Sequence, residues 1–230
     1  MSSKQAILGR IREALAHPSH PEVRALAGNG ERDVRKARPF MPPGGDNIEE
    51  RLRNFARLAE LLKVELVQVP TPEAARETLK ILREAEGWTR IATHHHDLTD
   101  RLVTGLHPDL LWTDTSPGID ALESCEVGIS VCEALIAQTG SILVTGKGCG
   151  GRALSVLPPH HVVLATRDQL LPDLFAGYEH LRHTYGDTLP SFISFITGAS
   201  RTGDIERILV LGAHGPKRLT VVLMGTEDSA

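Results

Sequence analysis

Hydroxyl, guanidinium and carboxylate groups gather beside glycines at three places in this 230-residue chain. Gln138-Thr139-Gly140-Ser141 separates two apolar runs, Gly150-Gly151-Arg152 closes a glycine-rich stretch, and Ser200-Arg201-Thr202-Gly203-Asp204 follows another apolar run. Glycine lets the backbone approach a ligand closely, and hydroxyls beside free N–H groups suit the oxygens of a phosphate or carboxylate. Arg152 and Arg201 add planar guanidinium groups, which hold such anions in bidentate pairs. The expected chemistry is capture of a small anion by Thr139, Gly140, Ser141, Gly151, Arg152, Ser200, Arg201, Thr202 and Asp204. A plainer arrangement uses the same residues: Ser200 and Thr202 cap a turn, Asp204 pairs with Arg201, and Arg152 joins a surface ion pair.

Glu206 and His214 are the candidates for proton transfer, and Glu206 also for covalent attack. Asp204 and Glu206 have one residue between them and would sit well apart around a helical turn, so joint action by the pair is not expected. His214, in Ala213-His214-Gly215-Pro216, follows an apolar run, where it either serves a ligand or stabilises the turn. His94, His95 and His96 resemble metal bait, but no carboxylate or cysteine follows at a recognised ligand spacing. The string GKGCGGR from Gly146 to Arg152 lacks the ending of a Walker loop, and there is no GxSxG elbow of an acyl hydrolase.

These groups need elements to position them. Helical spacing of Ile7, Leu8, Ile11 and Leu15 predicts an amphipathic helix over residues 3–16. The Pro- and Gly-rich stretch to Asn47 reads as an extended arm, so residues 1–46 are an appendage and 47–230 the main domain. Ile48 to Leu62 predicts a helix, Val64 to Val69 a strand, and Thr71-Pro72-Glu73 the capped start of another helix that ends at Gly87. A short buried strand over Thr89 to Thr93 and a helix over Asp97 to Leu106 continue the alternation. Such alternation predicts an α/β fold with a mixed, largely parallel sheet flanked by helices, its ligand crevice at the C-terminal strand edges. From Glu126 the pattern changes to a hairpin-like reversal near Thr139 and Ser141. A strand follows over Val162 to Ala165, then a long helix over Asp168 to Tyr185 with Leu170, Leu171, Leu174, Tyr178 and Leu181 inward. Apolar runs at Phe192 to Ile196, Ile208 to Leu211 and Leu219 to Met224 predict three more strands.

The net charge of −4 and the lack of basic runs interleaved with aromatics argue against nucleic acid as a partner. No apolar stretch approaches a membrane span, and no signal-peptide pattern is present, so the cytoplasm is the expected compartment. Cys125, Cys132 and Cys149 have neither disulfide nor cluster spacing, so any iron–sulfur centre is expected on another chain.

Taken together, Gln138-Thr139-Gly140-Ser141, Gly150 to Val163 and Ile196 to Pro216 resemble the LUD domain of the lactate utilization protein C family, with Gln138 where family members often carry an acidic residue. The resemblance implies a fold like the sugar-phosphate isomerase and CoA-transferase superfamily. It also implies a place in an L-lactate to pyruvate oxidation system whose iron–sulfur clusters sit on partner proteins, with no cofactor held by this chain. The alternatives are a stand-alone isomerase or transferase on a phosphorylated or CoA-linked metabolite, with Glu206 as base or nucleophile, and a scaffold subunit without chemistry.

Overall fold

The runs Val127–Val131, His160–Thr166 and Arg218–Met224 carry apolar residues on both faces, so each must be covered on two sides. The structure, a computed structural model, describes residues 3–16, 42–107, 109–203, 209–211 and 215–225, and places these three strands side by side in the middle of a sheet. The chain divides into two compact units, residues 1–41 and 42–230. In the first, helix α1 (Ser3–Ala16) matches the predicted span, and its Ile7 and Leu8 are exposed.

The second unit begins its regular structure with α2 (Ile48–Leu62), β1 (Glu65–Val69), α3 (Pro72–Glu86), β2 (Ile91–Thr93), α4 (Asp97–Val103), β3 (Leu110–Trp112) and α5 (Ile119–Glu123). It continues with β4 (Val127–Val131), β5 (Ala134–Ile136), β6 (Ser141–Thr145), β7 (His160–Thr166), β8 (Leu170–Leu171), α6 (Leu174–Tyr185), β9 (Ile193–Ile196), β10 (Arg201–Gly203), β11 (Leu209–Leu211) and β12 (Arg218–Met224). Six strands form a sheet in the order β1-β12-β7-β4-β2-β3, every pairing parallel. A second sheet, β8-β5-β6-β9, is mixed, and β10 and β11 pair by themselves. The expected α/β fold with a largely parallel sheet is therefore present, with its mixed portion split off as a separate sheet.

The helix ends follow their sequence signals. Asn47 caps α2, its Oδ1 accepting from the Glu50 N–H at 2.9 Å, while Glu49 and Glu50 lie in the first turn where the helix dipole favours negative charge. Thr71 caps α3 with Pro72 at its first position, and Gly87 closes it in the left-handed region at φ +69°. Phe55 and Ala59 of α2 and Ala75 and Leu79 of α3 are buried in the core with Ile129, Val162, Val163 and Val221.

Two predicted segments end elsewhere. The apolar run after Glu126 is not one strand, because at Cys132 and Glu133 the chain leaves the large sheet and enters the small one. The helix predicted from Asp168 starts only at Leu174, capped by Asp173, whose Oδ1 accepts from the Ala176 N–H at 2.8 Å. Leu170 and Leu171 instead pair in parallel with Leu135 and Ile136. Pro172 is the physical reason, since a residue before proline is pushed out of helical conformation. Tyr178, expected inward, is 56% exposed, with its ring 5.3 Å from that of Phe195.

Candidate functional site

In the parallel sheet the connection leaving β2 runs outward to β3, whereas the one leaving β4 runs the other way, through the small sheet, to β7. β2 and β4 are neighbours, so a topological switch point lies between their C-terminal ends, where α/β sheets open a crevice. A cavity of about 400 Å³ occupies this edge, lined by His94, His95 and His96 after β2, Thr113, Asp114 and Ser116 after β3, and the glycine loop after β6. A second cavity of about 450 Å³ shares Gly146 and Lys147 with it and adds Arg152, Pro190, Ser191 and Phe192.

The glycine loop is held from below by a partly buried carboxylate, whose side chain is 10% exposed. Glu133 Oε1 accepts hydrogen bonds from Thr145 Oγ1 at 2.6 Å and from the Tyr185 hydroxyl. Thr145 Oγ1 in turn accepts from the Gly148 N–H at 2.9 Å. A Cβ on Gly148 would stand 2.2 Å from Glu133 Oε1 and 2.9 Å from the Tyr185 oxygen, so any larger residue must displace these two side-chain ends. Burial, and then the hydrogen bond to Glu133, push the Tyr185 phenol up to about 12. Sequence reasoning passed over Glu133 and Tyr185. The available signal was a single carboxylate inside an otherwise apolar run, which has to find buried donors.

Above this network stand two exposed cations. The Lys147 ammonium lies 5.5 Å from the centre of the Tyr185 ring, and the Arg152 guanidinium 5.7 Å from that of Phe192. Among the described residues neither forms an ion pair with a carboxylate, so both remain available to an anion. Lys147 was not among the residues singled out from the sequence.

The three histidines take three roles. His94 is buried, and its Nε2 accepts from the Val131 N–H at 3.4 Å. His95 stacks on Trp112 with ring centres 4.1 Å apart, its Nδ1 2.8 Å from Asp100 Oδ1 and its N–H donating to Asp114 Oδ2 at 2.7 Å. His96 caps α4, its Nδ1 accepting from the Leu98 N–H. Among the described residues no group of three His, Cys, Asp or Glu side chains has metal-holding geometry.

The structure brings only some of the sequence candidates together. Gly151 and Arg152 line the cavities just described. Thr139, Gly140 and Ser141 lie at the other end of β6, whose five residues at about 3.3 Å each put roughly 15 Å between the two loops. There the hydroxyls satisfy one another: Thr139 Oγ1 is 2.7 Å from Ser141 Oγ, which is 2.8 Å from Thr197 Oγ1. Gly140, at φ +67°, sits so tightly on α2 that a Cβ would meet Leu58 at 2.8 Å. Gln138 Nε2 donates to the Pro42 carbonyl, while its Oε1 is buried without a partner. Ser200 joins this end, its N–H donating to the Pro216 carbonyl at 2.9 Å. A single pocket lined by all three loops is thus corrected to two separate places, because a strand intervenes. Arg201 and Thr202 lie on the backbone of β10, and Asp204, Glu206 and His214 fall outside the described residues.

All three cysteines are buried, and burial pushes each thiol up, that of Cys149 to about 12.

The chain is thus an α/β protein whose parallel sheet has a crevice at its switch point, walled by histidines on one side and by a cationic glycine loop on the other. The model of the LUD domain family matches residues 115–224, which include all three blocks on which the resemblance rested. It is similar to lactate utilization protein C of Geobacillus thermodenitrificans, at 33% identity over 56% of this chain and 54% of that protein. It is likewise similar to lactate utilization protein C of Exiguobacterium sp., at 26% identity over 78% and 80% of the two chains. The chain spans about half the length of the first of these curated relatives. A crystal structure of a DUF162 family protein from Deinococcus radiodurans superposes with a TM-score of 0.61 at 22% identity, covering 79% of this chain and all of that one, and shows the same fold. Among the described residues no helix is long and apolar enough to cross a membrane.

Proposed function

We propose that this protein serves in L-lactate utilization, acting in the cytoplasm with iron–sulfur partner proteins and binding a small carboxylate such as lactate or pyruvate at the glycine loop. The names of its relatives support the pathway. The observation that carries the ligand class is the pair of cations, Lys147 and Arg152, beside cavities at the sheet edge with no carboxylate partner among the described residues. Arg152 offers a bidentate fork and Lys147 a mobile point charge. Placing the iron–sulfur clusters on other chains is supported by thiol chemistry. Cluster ligation needs thiolates, and burial disfavours them at Cys132 and Cys149. Gly151 and Arg152 remain in the proposed ligand set, Lys147 joins it, and the turn at Thr139 to Ser141 becomes a structural support.

Thermal unfolding with lactate, pyruvate, phosphate and a CoA thioester tests this reading, since a ligand that binds only the folded state raises the melting temperature. Lactate or pyruvate should raise it, and Lys147→Ala with Arg152→Ala should abolish the shift. An unchanged shift in the double variant, or a response to the CoA thioester alone, would overturn the carboxylate assignment. Loss of growth on L-lactate after gene deletion is expected, and unimpaired growth would remove the pathway.

A scaffold role has one observation of its own: Ile7 and Leu8 of α1 are 59% and 40% exposed, an apolar face suited to a partner. Removing residues 1–41 should then release the iron–sulfur partners while the melting temperature of the remaining domain holds.

A further inference from the structure

Charge is divided unevenly along this chain. Residues 1–41 carry eight Lys and Arg against four Asp and Glu, a net of +4, while residues 42–230 carry seventeen against twenty-five, a net of −8. Asymmetry of this kind points to a polyanionic surface as the partner of the basic segment. Within that segment the structure describes α1, whose side chains from Lys4 to Arg10, with Arg12 and Glu13, are all exposed. Ile7 is 59% and Leu8 40% exposed.

A helix of this length, about 21 Å, is marginal by itself in water. α1 also lacks the charges that would support it there. No acidic residue stands in its first turn and no basic one in its last, and Lys4 sets a positive charge at the positive end of the helix dipole. A surface that is apolar within and anionic at its face offsets both deficits. The distribution of side chains matches such a surface. At about 100° per residue, Leu8 lies about 100° around the helix from Ile7, and two cations flank the pair: Arg10 about 60° outside Ile7 and Arg12 about 40° outside Leu8. Glu13 falls on the opposite face. Lys4 stands over the apolar stripe one turn earlier, and its four-carbon stem lets the ammonium reach past the stripe to polar groups. In the sequence, Ile11 and Leu15 follow Ile7 at the fourth and eighth positions, which continues the stripe.

We infer that α1 is a membrane-surface anchor. It lies in the plane of an anionic lipid bilayer without crossing it, with Ile7 and Leu8 below the headgroups and Lys4, Arg10 and Arg12 against lipid phosphates. The apolar stripe decides for lipid over nucleic acid, since a phosphate backbone offers it nothing to lie in. The net negative charge of residues 42–230 is repelled by the same bilayer, so attachment is confined to the basic segment and weakens as salt screens it. The anchor is independent of the carboxylate site at the glycine loop, and it competes with a protein partner for one helix face.

Flotation of the full chain with lipid vesicles tests this. Partition onto mixed phosphatidylcholine–phosphatidylglycerol vesicles should exceed that onto pure phosphatidylcholine by at least about tenfold, because each cation close to an anionic surface contributes about fivefold. Raising the salt from about 0.05 M to about 1 M should remove most of this difference. Lys4→Glu with Arg10→Glu should reduce partition to the level of the neutral vesicles, and Ile7→Asp with Leu8→Asp should abolish it on both. These side chains are exposed, so both variants should keep the native melting temperature and the native response to pyruvate. Equal partition onto the two kinds of vesicle, partition onto neither, or undiminished flotation of the Asp variant overturns the inference. A chain that floats with neither vesicle, yet loses its iron–sulfur partners when Ile7 and Leu8 are replaced by Asp, assigns the face to protein and overturns it as well.

Discussion

Lowering the pH from 7 to 5 should destabilise the fold by an amount that two buried histidines set. His161 is fully buried on β7, its Nε2 2.9 Å from Ser130 Oγ and its Nδ1 without a partner. Burial, and then the neighbouring His160, push it down from 6.5 to about 3. His160, beside Trp88 and 2.8 Å from Thr220 Oγ1, is pushed down to about 4, chiefly by burial and then by Arg218. The sign follows from the order of these values. Each folded-state pKa lies below the unfolded one, so as pH falls the unfolded chain takes up the proton first. Stability is complete above about pH 6.5 and is lost progressively toward pH 4 and pH 3. At pH 5 the unfolded imidazole is almost wholly protonated and the folded one almost wholly neutral, which costs about 2 kcal/mol per histidine. That figure hardly depends on whether the folded value is 3 or 4, because both lie well below the working pH. Urea unfolding at pH 7 and pH 5 measures the total, and His161→Gln isolates one part. Glutamine can keep a contact with Ser130 yet has no proton to gain. The variant should start less stable at pH 7 through imperfect packing, but lose about 2 kcal/mol less than the native protein between the two pH values. Equal losses in the two proteins would refute the reasoning, because the remaining groups cancel in the difference.

Two further outcomes follow from the support beneath the glycine loop. Gly148→Ala should cost about 1–3 kcal/mol by overpacking against Glu133 and Tyr185, and should weaken pyruvate binding, as chemical unfolding and titration would show; a neutral substitution would mean that the loop is free to shift. Thr145→Val removes both the donor to Glu133 and the acceptor for Gly148, and is expected to cost about 2–3 kcal/mol in urea unfolding, with Thr145→Ser restoring most of it.

The layers of the fold were legible because local signals and packing agree there. Thr71-Pro72-Glu73 capped a helix as its chemistry dictates, and the uniform apolar runs at Val127, Val162 and Leu219 became strands of a sheet covered on both faces. Leu170 and Leu171 misled because a two-residue strand has no period of its own, and leucines at that spacing extend a helical stripe equally well. Pro172 held the correcting signal. The hydroxyl-rich turn at Thr139 to Ser141 was recognisable as a turn, yet its distance from Arg152 depends on which end of β6 each loop leaves. That is a matter of strand direction, which residue types do not encode. Glu133 was missed for a related reason: its partners Thr145 and Tyr185 are 12 and 52 residues away, and only the folded chain brings them near.

The two walls of the crevice belong to different sheets. The histidine wall rides on the parallel sheet and the glycine loop on the mixed one, and the chain passes from the first to the second through Cys132 and Glu133. Glu133, clamped by Thr145 and Tyr185, therefore works as a pin in a joint. The width of the crevice is set where that joint is locked, beneath the glycine loop.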